Sequence, residues 1–207
     1  MTTAPRLGGF TVIEAVVVVA ILGIIAAIGY PGMSNWLLTR RAQAAAGYYM
    51  DGLSLARNQA IAHNSASRLV LNENSTSGQM EWQIDLCFPT SDLPCDDDNG
   101  NWSTPTTAVT DARTGVSSKS ITRSAAGLPP LASMATTLSP SGATEVYFTP
   151  VGWLNTSVSP HLNRIVLSPS YSRPGAFAPM AVALTLAGVA SRCDPSAAAH
   201  DARGCPP

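Results

Sequence analysis

The sequence predicts an α+β protein in which one long N-terminal helix precedes a domain rich in strands and loops. Three observations carry this. From Ala15 to Thr39 there is no charged residue. Overlapping the end of that run, Leu38, Ala42, Ala45, Tyr49, Leu53, Ala56 and Ala60 recur every three or four residues, which places them on one helix face. Further on, Met80, Trp82, Ile84 and Leu86 alternate with Glu81, Gln83 and Asp85, the period of a strand with one buried face.

The uncharged run predicts the first half of the helix. With its flanks it is long enough to cross a bilayer, which takes about 20 apolar residues; the predicted span covers residues 12–31. Gly23 and Pro31 interrupt it. A proline inside a helix kinks it or removes a hydrogen bond, and both residue types are commoner in membrane helices than in soluble ones. The second half is amphipathic. Arg40, Arg41, Gln43, Asp51, Arg57 and Gln59 mostly fall outside the apolar stripe, and Asn64 is a suitable stop, so the helical region is residues 10–64.

Residues 65–207 form the predicted β domain. Strands are expected at Arg68–Leu71 and Met80–Leu86, joined through the polar Asn72–Gly78 segment. Others are expected at Glu145–Thr149, Arg164–Ser168, Met180–Leu186 and Val189–Arg192. Residues 103–142 are rich in Ser, Thr, Ala and Gly, and predict long loops with one or two weak strands.

Composition narrows the function. Charged residues are 12% of the chain and the net charge is −1. A general nucleic-acid surface needs clustered Lys and Arg and is disfavoured; a subunit that packs against copies or relatives of itself is compatible. The four cysteines, Cys87, Cys95, Cys193 and Cys205, contain no C-x-x-C pair, which argues against zinc and thioredoxin-type sites. Four cysteines allow three pairings; the preferred one in an exported domain is local, Cys87–Cys95 and Cys193–Cys205.

Catalytic signals are missing. His63, His161 and His200 stand in unrelated contexts, and no G-x-S-x-G, H-E-x-x-H or glycine-rich phosphate loop is present. No catalytic residue, metal or cofactor is expected. The acidic run Asp96–Asp98 before Asn99-Gly100 fails the EF-hand spacing: aligning Gly100 with the loop glycine puts Cys95 at the first ligand position and Thr106 at the last. A turn closed by a Cys87–Cys95 loop fits better.

Glu14 is the strongest candidate for function. A carboxylate at the head of an apolar span is costly unless it has a partner. It closes the string Gly8-Gly9-Phe10-Thr11-Val12-Ile13-Glu14, and the preceding residues 1–9 are polar, with Arg6 as their one charge. An ordinary secretory signal has its apolar core before the cut, whereas here the apolar run follows. This arrangement resembles the type IV pilin signature. The resemblance implies a prepilin leader of residues 1–9, cleavage between Gly9 and Phe10, and N-methylation of Phe10. It further implies that Glu14 pairs with the Phe10 amine on its own chain or on a neighbour, a register device. Gly23 and Pro31 would be places where the helix melts on assembly.

Three further stretches narrow the family: L-x-x-A-R-N-Q-A-I from Leu53 to Ile61, V-Y-F-T-P-V-G from Val146 to Gly152, and Gly188 to Cys193 running into a cysteine loop. They are similar to the FimT/GspH family of type IV minor pilins and type II secretion pseudopilins, and the resemblance covers nearly the whole chain. It implies the long helix packed on a mostly antiparallel two-sheet domain, anchored once in the bacterial inner membrane and facing the periplasm. The implied partners are other pilins or pseudopilins, prepilin peptidase, the inner-membrane assembly platform and lipid. Some FimT-like pilins capture DNA through arginines in a G-R-x-R-like motif. Here Gly188–Cys193 keeps only Arg192, with Arg203 nearby and Asp194 and Asp201 available to pair with them. Two cations neutralise few phosphates, so any DNA contact would be weak and salt-sensitive.

Overall fold

The computed structural model describes residues 9–198 and 200–206, with backbone alone for residues 28–31. The predicted leader, residues 1–8, lies outside them. Contacts divide the chain into a unit ending at Leu37 and a unit starting at Leu38.

Helix α1 runs from Val12 to His63. Thr11 starts it: its hydroxyl accepts the Glu14 N–H at 3.3 Å and its carbonyl accepts the Ala15 N–H at 3.2 Å. Thr11-Val12-Ile13-Glu14 thus has the capping-box pattern of a helix start. The described side chains from Phe10 to Ala27 are all exposed. No single described helix is long and apolar enough to cross a membrane; Val12–Ala27 and Gly32–His63, taken together across a bend, meet that length and composition.

In the second unit every predicted stripe residue, from Leu38 to Ala60, is buried. Side chains of the first sheet reach the helix backbone: Ser67 Oγ donates to Ala56 O at 2.7 Å and Trp82 Nε1 to Tyr48 O at 3.0 Å. Asn64 ends the helix with a positive φ of 47°, while Ser65 N–H reaches Ala60 O at 3.1 Å and Asn64 N–H reaches Ile61 O at 3.2 Å. This is the Schellman pattern, with asparagine in the left-handed position that glycine usually fills.

The strands are β1 (Ala66–Glu73), β2 (Met80–Cys87), β3 (Val109–Thr110), β4 (Ser117–Ser118), β5 (Ile121–Arg123), β6 (Met134–Ser139), β7 (Glu145–Phe148), β8 (Arg164–Pro169), β9 (Met180–Leu184) and β10 (Ala190–Cys193). They form two four-stranded sheets, β5-β2-β1-β7 and β10-β9-β8-β6, and a β3-β4 ribbon, all antiparallel. The fold is therefore α+β with antiparallel sheets. One core joins the helix stripe to the inner faces of both sheets, including Leu69 and Ile84 from the first and Ile165, Leu167 and Val182 from the second. The 103–142 region departs from expectation. It carries four strands, one of them the six-residue β6, because Ser and Thr there sit on edge positions where little apolar alternation is needed.

Each sheet has its outer face covered by a segment that a disulfide fastens. Cys87, the last residue of β2, bonds Cys95, and Cys193, the last residue of β10, bonds Cys205. Over the second sheet the clipped tail covers Ala181 and Ala183, and Arg164 Nη2 donates to Pro206 O at 3.1 Å.

Candidate functional site

The covered face of the first sheet holds a polar cluster. The alternation of β2 predicts a solvated Asp85, yet this residue is fully buried, because the 88–120 segment lies over it. Its carboxylate accepts from Arg68 Nε at 2.9 Å, Gln83 Nε2 at 2.7 Å and Ser120 Oγ at 2.6 Å. The Arg68 guanidinium stacks 4.7 Å from the Trp102 ring, which meets Tyr147 edge-on, and the Tyr147 hydroxyl donates to Glu145. Burial is the largest influence and works against the charge of Arg68, but the hydrogen bonds to Asp85 and Tyr147 and the charges of Asp85 and Glu145 together outweigh it, and its pKa is raised. Burial, then the bond to Glu145, pushes the Tyr147 phenol up to about 12. Each polar group is answered by a neighbour, so the cluster serves as a latch for the covering segment.

The second junction centres on Arg57. Its Nε donates to Gly152 O at 3.1 Å and to Ala187 O at 3.3 Å. These carbonyls belong to two turns with the same wiring. In Thr149–Trp153, Gly152 N–H returns to Thr149 O, Thr149 N–H takes Trp153 O, and the Thr149 hydroxyl accepts Trp153 N–H. In Thr185–Val189, Gly188 N–H returns to Thr185 O, Thr185 N–H takes Val189 O, and the Thr185 hydroxyl accepts Val189 N–H. Leu154 N–H to Leu186 O, at 3.0 Å, joins the turns. Gly152 and Gly188 have φ of 80° and 73°. A Cβ on Gly188 would stand 2.2 Å from Gly152 O, so no side chain fits. The three stretches singled out in the sequence, around Arg57, Gly152 and Gly188, meet here.

The remaining candidates are placed as follows. Gly9, Phe10 and Glu14 are exposed, Gly23 has open space around it, and the side chain of Pro31 lies outside those described. Arg192 is exposed on β10 and makes no ion pair among the described residues, including none with Asp194. Arg203 is bound by Asp201, Nη2 to Oδ2 at 2.7 Å and Nε to Oδ1 at 3.1 Å. Asp96 closes a turn by accepting the N–H groups of Asp98 and Asn99 at 3.1 and 2.6 Å. Among the described residues no cluster of three His, Cys, Asp or Glu side chains could hold a metal ion.

The fold and these junctions define one long helix on a two-sheet domain held by two disulfides. No family model, no curated protein and no solved structure matches the chain.

Proposed function

We propose that this protein is a minor pilin or pseudopilin of the FimT/GspH type. In this reading it is a structural subunit inserted in the bacterial inner membrane, cleaved by prepilin peptidase and built into a type IV pilus or type II secretion pseudopilus. The observation that carries the proposal is the Gly8-to-Glu14 string directly before an apolar helix whose described side chains from Phe10 to Ala27 are all exposed. Such a surface needs lipid or other helices to cover it. Glu14 has two compatible tasks. Its N–H is capped by Thr11 within the chain, and an acid in the first turn is favoured by the helix dipole. In this reading its carboxylate pairs with the amine that cleavage before Phe10 would create, on its own chain or on a neighbour.

Mass spectrometry of the membrane-extracted protein tests this. A mature chain beginning at Phe10, with one added methyl, is the expected result. An intact Met1 terminus in cells with an active prepilin peptidase would overturn the assignment.

A further inference from the structure

Strand β10 is the outermost strand of the second sheet. Its two ends fix which of its backbone groups face outward. In the turn before it Thr185 N–H takes Val189 O, and in the tail after it Asp194 N–H takes Arg203 O. In an antiparallel pair every second residue bonds its partner and the residues between turn away. Ser191 and Cys193 therefore bond toward Ala183 and Ala181 of β9, while Ala190 and Arg192 turn their N–H and C=O groups outward, as Asp194 does. Among the described residues no hydrogen bond reaches these four groups. The outer edge of β7 differs: Tyr147 O takes Asn155 N–H and Glu145 O takes Leu162 N–H.

The open edge runs beside α1. The side chains of Ala190 and Arg192 fall on the core side of the sheet, because their partners across the ladder, Leu184 and Val182, belong to the core. On that side Ala190, Gly188 and Val189 line a cavity of about 80 Å³ with Ser54, Arg57 and Asn58 of the helix. Arg57 spends its Nε on two carbonyls, and its terminal nitrogens have no partner among the described residues. Arg192 makes no ion pair among them. Residues 54–62 and 184–193 contain these two arginines and no Asp or Glu.

We propose that the β10 edge takes an extended segment of a partner protein, with carboxylate side chains on the face toward α1. A row of open donors and acceptors is what a further strand completes. Strand alternation then turns every second side chain of that segment toward the two arginines, where a carboxylate is matched in charge. A phosphodiester chain accepts from the N–H groups but leaves the carbonyls of Ala190 and Arg192 without donors. A second copy of β10 would set two Arg192 side chains opposite or diagonal on one face, and like charges so placed destabilise a pair. The contact needs neither the anchor nor a filament.

The full chain in detergent is titrated with the peptide acetyl-TVEVEVT-amide, whose glutamates share one face, and amide exchange is followed by NMR. In the free protein the amides of Ala190 and Arg192 should exchange freely while those of Ser191 and Cys193 are slow. Peptide at about 1 mM, a modest affinity for a short strand, should protect Ala190 and Arg192. N-methylating one set of alternate peptide residues should abolish this, and N-methylating the other set should not. The glutamine peptide acetyl-TVQVQVT-amide should bind about threefold more weakly, a difference that Arg192→Gln should reduce. Ala190→Pro removes one outward donor and leaves the ladder to β9 intact; it should weaken binding about fivefold, and the N-methylated peptides make the same test on the unaltered protein. No protection at Ala190 and Arg192 would overturn the strand contact, and equal binding of the glutamine peptide would overturn its acidic character. Protection that rises with protein concentration and ignores peptide would make the edge a contact between copies instead. Protection that appears only with added duplex DNA would make it a nucleic-acid surface.

Discussion

Gly52 faces the ring of Trp82 so closely that a Cβ there would stand 2.9 Å from both Cδ1 and Nε1 of the indole. The ring cannot retreat: its Nε1 donates to Tyr48 O at 3.0 Å, and the Trp82 backbone N–H donates to the Tyr48 hydroxyl at 3.3 Å. That hydroxyl in turn donates to Arg123 O at 2.6 Å, so Tyr48 binds β2 and β5 to the helix. Gly52→Ala should therefore destabilise the domain, although alanine gains about 1 kcal/mol of helix propensity over glycine. Overpacking costs about 1–3 kcal/mol, and a net loss near 1 kcal/mol is expected. Gly52→Val should lose more. Denaturant unfolding followed by Trp fluorescence measures both, and a stabilised Gly52→Ala would mean the ring has room to move.

Arg57→Ala removes a charged donor from two turn carbonyls. Hydrogen bonds to charged groups contribute about 1.5–3 kcal/mol, so a loss of about 2 kcal/mol is expected. Gly188→Ala should be at least as damaging, since its methyl meets backbone and its φ is positive. Hydrogen exchange should localise both effects to the amides of Leu154 and Val189. Unchanged exchange there with lowered global stability would contradict the keystone role of Arg57.

Stability should fall in alkali. Tyr48 and Tyr147 are pushed from 10.0 up to about 12, chiefly by burial. Raised folded-state values mean that their contribution is complete below pH 10 and is lost as pH rises to about 12, because the unfolded chain ionises first. Unfolding midpoints measured without thiols between pH 9 and 12 should decline. Tyr147→Phe should flatten that decline; an equally steep one would assign it to other groups.

The tail should depend on its disulfide. Closing a loop of this length contributes about 2–3 kcal/mol through the unfolded state. Replacing Cys193 and Cys205 by alanine should lower stability by that order and open residues 194–204 to limited proteolysis, while the 88–120 segment stays resistant. Equal cleavage of both segments would show that the outer coverings are not independent.

Glu14→Val should insert and be processed but fail to enter filaments. Removing the carboxylate makes the segment more apolar, so insertion does not suffer, while the partner proposed for the Phe10 amine is gone. Sheared filaments containing the variant at wild-type level would leave Glu14 with its role in the first helical turn alone.

The sequence by itself determined the long helix, its buried stripe, its Asn64 stop and the alternation of β2, since each is a local period or end signal set by neighbouring residues. The preferred pairing of the cysteines was also legible, because their short separations favour local loops, and both disulfides are present in the fold. Tertiary structure decided the rest. Asp85 looked solvent-facing from β2, and only the covering 88–120 segment buries it against Arg68. Strand β6 has too little apolar contrast to be seen alone, and it is defined by its register with β8, Leu138 opposite Ile165. Arg57, Gly152 and Gly188 are far apart in the chain. Nothing local in any one of them says that a guanidinium will hold two turns together, because hydrogen bonds between distant segments are chosen by packing and leave no period in the sequence.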